Sequence, residues 1–167
     1  MSLSFIVGQA GDVFAGDLAR VVDAELRQRF TLPDRHDPYE SEPVDASGWR
    51  QLQQRVLRTV DTSPQLATVD AYQAVYVPGA LDHVEHLPIA NLADPLQVGS
   101  LSLLLEELKA FAAAASLPTD DLELMKLAAH YLEHEDVDAD LDLQTYVQLM
   151  LSAKQAIARG QALWIVV

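Results

Sequence analysis

The stretch Ala162-Leu163-Trp164-Ile165-Val166-Val167 decides the fold. It is too short for a helix, rich in β formers and wholly apolar, so it predicts a buried strand. Near the other end, Leu3-Ser4-Phe5-Ile6-Val7 reads as a second short buried strand, broken by Gly8-Gln9-Ala10-Gly11. These two terminal strands are expected side by side in one small sheet.

Between them the chain alternates helical and extended patterns. Phe14, Leu18, Val22 and Leu26 recur every fourth residue, with Val21 and Phe30 widening the stripe, and Asp12 is placed to cap that helix. Residues 31 to 46 hold three prolines and a dense set of carboxylates without periodicity, which predicts a long loop of the kind that is often functional or mobile. A second helix is expected from Ser47, with Leu52, Val56 and Val60 along one side and Thr62-Ser63-Pro64 ending it. Tyr72 to Val77 reads as a strand before a Pro78-Gly79 turn, with the segment from Leu81 to Leu87 as its hairpin partner; residues 88 to 99 read as turns.

Three helices follow. Ser100 opens the first, with Leu101, Leu104, Leu108, Phe111 and Ala112 on its apolar face, and Leu117-Pro118 stops it. Asp120 and Asp121 start the second, for which Leu122, Met125, Leu127, Ala128, Tyr131 and Leu132 are the expected core residues. The third follows an acidic connector, turns Tyr146, Val147, Met150 and Ile157 inward, and ends at Gly160. The fold class is α+β: a small mixed or antiparallel sheet including both termini, packed against about five helices, with a helix-rich C-terminal half. One domain over residues 1–167 is expected from this length.

Composition narrows the function. The 167 residues include 50% hydrophobic side chains, no cysteine, and 25 Asp plus Glu against 11 Lys plus Arg, a net charge of −14. Without cysteine there is no disulfide, thiolate metal site or Cys nucleophile. Phosphate backbones and anionic lipid surfaces bind through Lys and Arg, so neither nucleic acid nor membrane is an expected partner. The opening residues lack the positive charge and apolar length of a secretory signal, and a cytoplasmic location is expected. The charge is uneven: residues 1 to 58 hold 7 basic and 9 acidic groups, net −2, whereas residues 59 to 167 hold 4 and 16, net −12.

Four of the five histidines fall in two close pairs, His83 with His86 and His130 with His134. Residues four apart on a helix share a face, which suits two imidazoles on one divalent metal. His130-Tyr131-Leu132-Glu133-His134 resembles the H-x-x-E-H motif of inverted zinc peptidases over those five residues alone; those peptidases are much larger and take a further acidic ligand far downstream, whereas 33 residues follow His134 here. Asp136-x-Asp138-x-Asp140 resembles the start of a calcium loop, but Leu141 stands where an EF-hand needs Gly and Val147 where it needs a bidentate Glu. No G-x-S-x-G elbow is present, and Gly8 to Gly11 lacks the spacing of a phosphate-binding turn. Tyr39, within the 31–46 loop, and Trp49 just beyond it are of the types that anchor protein interfaces.

No catalytic residue is assigned. The leading expectation is a non-enzymatic, acidic protein-binding module that acts on a basic protein partner, as immunity proteins and other inhibitors of basic toxins do. Its binding residues would be Tyr39, Trp49, Asp136, Asp138 and Asp140. No cofactor is expected under it. The alternative is a small metal-dependent enzyme centred on His130 and His134, with His83 and His86 as further ligands. A third is a unit that packs on a copy of itself as a homodimer.

Overall fold

The computed structural model describes residues 1–60, 62–79, 81–134 and 140–167. Strands β1 (Ser2–Gly8) and β7 (Ala162–Val166) pair antiparallel, Phe5 opposite Ile165 and Val7 opposite Leu163. They are the centre of a seven-stranded mixed sheet. On the far side of β7 lie β4 (Ala74–Val77), β6 (Leu96–Ser100) and β5 (Glu85–Leu87) in that order; on the far side of β1 lie the two-residue strands β2 (Tyr39–Glu40) and β3 (Val44–Asp45).

Both faces of this sheet are covered, which explains why β4 and β7 are apolar at every position rather than at every second one. Trp164, Val75, Val77, Leu96 and Val98 face helix α1 (Gly16–Arg29), which contributes Val22 and Leu26. Leu3, Phe5, Tyr76, Leu163 and Ile165 point the other way, onto α2 (Ser47–Thr59), α4 (Leu101–Ala115) and α6 (Leu141–Arg159). A four-residue helix, α3 (Pro64–Ala67), bridges α2 and α4, and α5 (Asp121–Glu133) lies against α6. The C-terminal helices thus share one core with the sheet instead of forming a bundle beside it.

Several expectations are corrected. Leu81 to Leu87 does not form a hairpin with β4: β6 inserts between β4 and β5, parallel to the former and antiparallel to the latter. All five residues of β6 are buried, whereas β5 exposes His86 and is followed by Pro88, a sequence tolerated only at an edge. Asp12 does not cap α1. It closes a short 3-10 turn by accepting from the Gln9 N–H at 2.8 Å, and α1 begins four residues later. Ile157 is exposed on α6 rather than inward.

The 31–46 loop is fastened rather than free. Arg27 donates to the carbonyls of Leu32 and Pro33, Gln161 to that of Arg35, and Arg159 to that of Pro38. His36 meets Asp12 at 2.8 Å, and β2 and β3 pair with β1. Several of its carbonyls are satisfied by side chains, and two of these, Arg159 and Gln161, come from the far end of the chain, a pairing that periodicity cannot reveal.

Candidate functional site

Helix α5 carries eight apolar residues in thirteen. Of the six expected in the core, only Leu127, Ala128 and Tyr131 turn toward it, joined by Leu124, which is fully buried. Leu122, Met125 and Leu132 point outward, 60%, 59% and 52% exposed. The reason is geometric. Positions 124, 127, 128 and 131 follow one 3–4 spacing and 122, 125, 129 and 132 follow another, on opposite sides of the same helix. Only the first has α6 to pack on.

The outward set Leu122, Met125, Ala129 and Leu132 has the 3-4-3 spacing of the a and d positions of a two-heptad seam. Its margins are acidic. Asp120 caps the helix by accepting from the Glu123 N–H at 3.2 Å; Asp121 pairs with Lys154 and Glu123 with Lys126. Glu133 lies in the last turn, where carboxylate charge adds to the negative end of the helix dipole. Residues 120–142 together hold nine carboxylates and one lysine, a net charge of −8.

The histidine pairs lie apart. His130 and His134 close α5 with their rings 4.3 Å apart and tilted by 34°, and the Nδ1–H of His134 donates to the His130 carbonyl at 2.8 Å. His83 and His86 belong to the β5 edge of the sheet, where His83 contacts Asp82 at 2.7 Å. Among the described residues, no three His, Asp or Glu side chains come together to hold a metal ion. Asp136 and Asp138 lie outside the described residues. Asp140 precedes α6 but its carboxylate accepts no N–H of that helix, and Asp142 pairs with Arg55 of α2 at 2.9 Å.

Tyr39 and Trp49 do not share a surface. Tyr39 stands opposite Val7 at one end of β1, with the Arg159 guanidinium 5.5 Å from its ring centre. Trp49 is buried near the other end, its Nε1–H donating to the Val69 carbonyl at 2.8 Å and its ring tilted against Phe5. It does form the wall of an open cavity of about 720 Å³, whose rim includes Arg50, Asp70 and the exposed Tyr72.

One polar cluster was not anticipated. The Gln65 side chain accepts from the Ser100 N–H at 2.7 Å and donates to the Leu81 carbonyl; Glu107 accepts from the N–H groups of Gln65 and Leu66, both at 2.9 Å. Tyr76 donates to the Gln65 carbonyl at 2.6 Å. Burial pushes the Glu107 carboxyl above its usual range and Tyr76 well above its own. Ser100 opens α4 as expected, but it follows a strand rather than a turn and so occupies a strand-to-helix junction. Its Oγ donates to the Gly79 carbonyl at 2.7 Å and caps α4, which is structural work and not that of an activated nucleophile.

Tyr146, whose hydroxyl donates to the Pro118 carbonyl at 2.6 Å, is pushed up to about 12 by burial. Its phenol, like that of Tyr76, is favoured over the phenolate in the folded chain. Stability from these two groups is therefore complete below their ordinary value of 10.0 and falls as pH rises above it, the Tyr146 contribution being lost toward about 12. Urea midpoints measured across this range are expected to fall steadily with tyrosinate absorbance appearing alongside unfolding; a flat midpoint would contradict the burial of both hydroxyls.

No family model, no characterised protein and no solved structure matches the chain. Among the described residues, no helix is long and apolar enough to cross a membrane.

Proposed function

We propose that this chain is a non-enzymatic, acidic protein-binding module that docks on a basic protein partner, in the manner of an inhibitor covering a basic site, through the outward face of α5. One observation carries this: three large apolar side chains, each more than half exposed, are aligned on a helix inside a segment of net charge −8. Scattered exposed apolar residues need no explanation, but a row of them along one helix marks an interaction surface. Carboxylate margins around an apolar strip steer a cationic partner and exclude anionic ones.

Cross-linking in the cell of origin tests this. The captured partner is expected to be basic, to dissociate as salt is raised, and to be lost from the double variant Met125→Glu/Leu132→Glu. Both side chains are exposed, so these substitutions are expected to change folding stability by only about 0.5 kcal/mol. Acidic partners, salt-insensitive capture, or full capture by the double variant would each overturn the proposal.

A further inference from the structure

The spacing of the exposed side chains on α5 limits what kind of basic segment fits them. Leu122, Met125, Ala129 and Leu132 alternate steps of three and four residues. An extended strand presents side chains on one face at every second residue, about 6.6 Å apart, and meets a helical row of this kind at only one or two points. A second helix with apolar residues at the same 3.5-residue average inserts its side chains between them along the whole row. Ala129 is the small residue in the middle of the row, with room opposite it for a large side chain.

Charge selects among helices. Asp121 and Glu133 border the row on its two sides; Lys126 borders it too, with its charge taken up by Glu123 at 3.0 Å, as that of Asp121 is by Lys154. A second copy of this chain would set one chain of net charge −14 against another. A helix with Lys or Arg beside its apolar positions instead meets Glu133 and a chain of net charge −14, and it adds cationic groups near the negative end of the α5 dipole.

We infer that the partner docks by a single amphipathic, basic α-helix laid along α5 in coiled-coil fashion, its apolar positions interleaving with Leu122, Met125, Ala129 and Leu132. This rests on the protein-binding role proposed above and specifies the structural class of its partner.

Two synthetic peptides of identical Leu and Lys composition separate recognition of a helix from attraction of charge. One has leucine at heptad a and d positions and lysine elsewhere; the other holds the same residues rearranged so that its leucines fall at every second position within one block. The heptad peptide is expected to bind the full chain at least about tenfold more tightly and to perturb the Met125 methyl resonance. Met125→Glu/Leu132→Glu is the sharper probe, because it adds two negative charges while removing the apolar row. Attraction by charge alone predicts tighter binding to this variant; helix docking predicts weakening of about tenfold or more. Equal binding of the two peptides, or binding strengthened by the double variant, overturns the inference and leaves the acidic binding module standing. Failure of both peptides to bind at low ionic strength overturns the module itself. Dimerisation lost in the double variant would assign the row to a second copy and also overturn the inference.

Discussion

Replacing Gly99 with Ala is expected to destabilise the folded chain by about 3 kcal/mol. Gly99 lies in the fully buried strand β6, and a methyl group there would stand 2.5 Å from the Gln65 Oε1 and 2.7 Å from the Tyr76 ring. Neither neighbour can give way freely. The Gln65 oxygen holds the Ser100 N–H, and the Tyr76 hydroxyl holds the Gln65 carbonyl, so a shift that relieves the methyl group leaves a buried donor without its acceptor. Urea unfolding should show a lower midpoint at unchanged slope, the sign of lost native stability rather than an altered denatured state. Removing the obstacle should recover part of the loss, so Gln65→Ala and Gly99→Ala are expected to be non-additive. A cost below about 1 kcal/mol for Gly99→Ala alone would mean that this approach is looser than the geometry requires.

Truncating Trp164 to Ala should cost more, about 4 kcal/mol. The indole is buried on the α1 face of β7, meets the Phe14 ring edge-on at 5.7 Å, and donates from Nε1 to the Gly8 carbonyl at 3.1 Å. Truncation removes the largest side chain on that face and the indole's hydrogen bond to the Gly8 carbonyl. Trp164→Phe keeps most of the apolar volume and loses the hydrogen bond, for an expected cost of about 1–2 kcal/mol. Equal effects of the two substitutions in thermal or urea unfolding would show that packing contributes little at this position.

Helix α5 behaves differently, although Leu132 and Trp164 are both large apolar residues that the sequence places in a core, one in a helix and one in a buried strand. Periodicity identifies that α5 is a helix and that its residues come in 3–4 steps. It does not say which of two interleaved rows is covered, since both satisfy the same rule. The cover is α6, and its position depends on how α6 packs against α2 and α4. The placement of the His83/His86 and His130/His134 pairs on different elements is likewise a matter of topology. So is the separation of Tyr39 from Trp49, which stand near opposite ends of β1 although only ten positions apart in the chain.

Short strands were the least legible elements. Leu96-Gln97-Val98-Gly99-Ser100 contains a glycine and follows a turn-rich stretch, so it reads as loop; the glycine is itself the signal, because glycine within a strand often marks a close approach by a neighbour. Gln65 and Tyr76 are that neighbour. The paired strands of the 31–46 segment carry no local signal, being two residues each and held by partners far along the chain.

By itself, the sequence determined the features that depend on local chemistry. These are the α+β class, the pairing of two apolar terminal strands, the α4 cap at Ser100, the left-handed Gly160 that ends α6, and the concentration of negative charge after residue 58. Only the tertiary structure decided the features that depend on which surfaces meet: the insertion of β6 between β4 and β5, the buried Gln65–Glu107 cluster, and the outward row on α5. Backbone preference and hydrophobic period act over a few residues, whereas burial is a property of the partner that arrives from elsewhere in the chain.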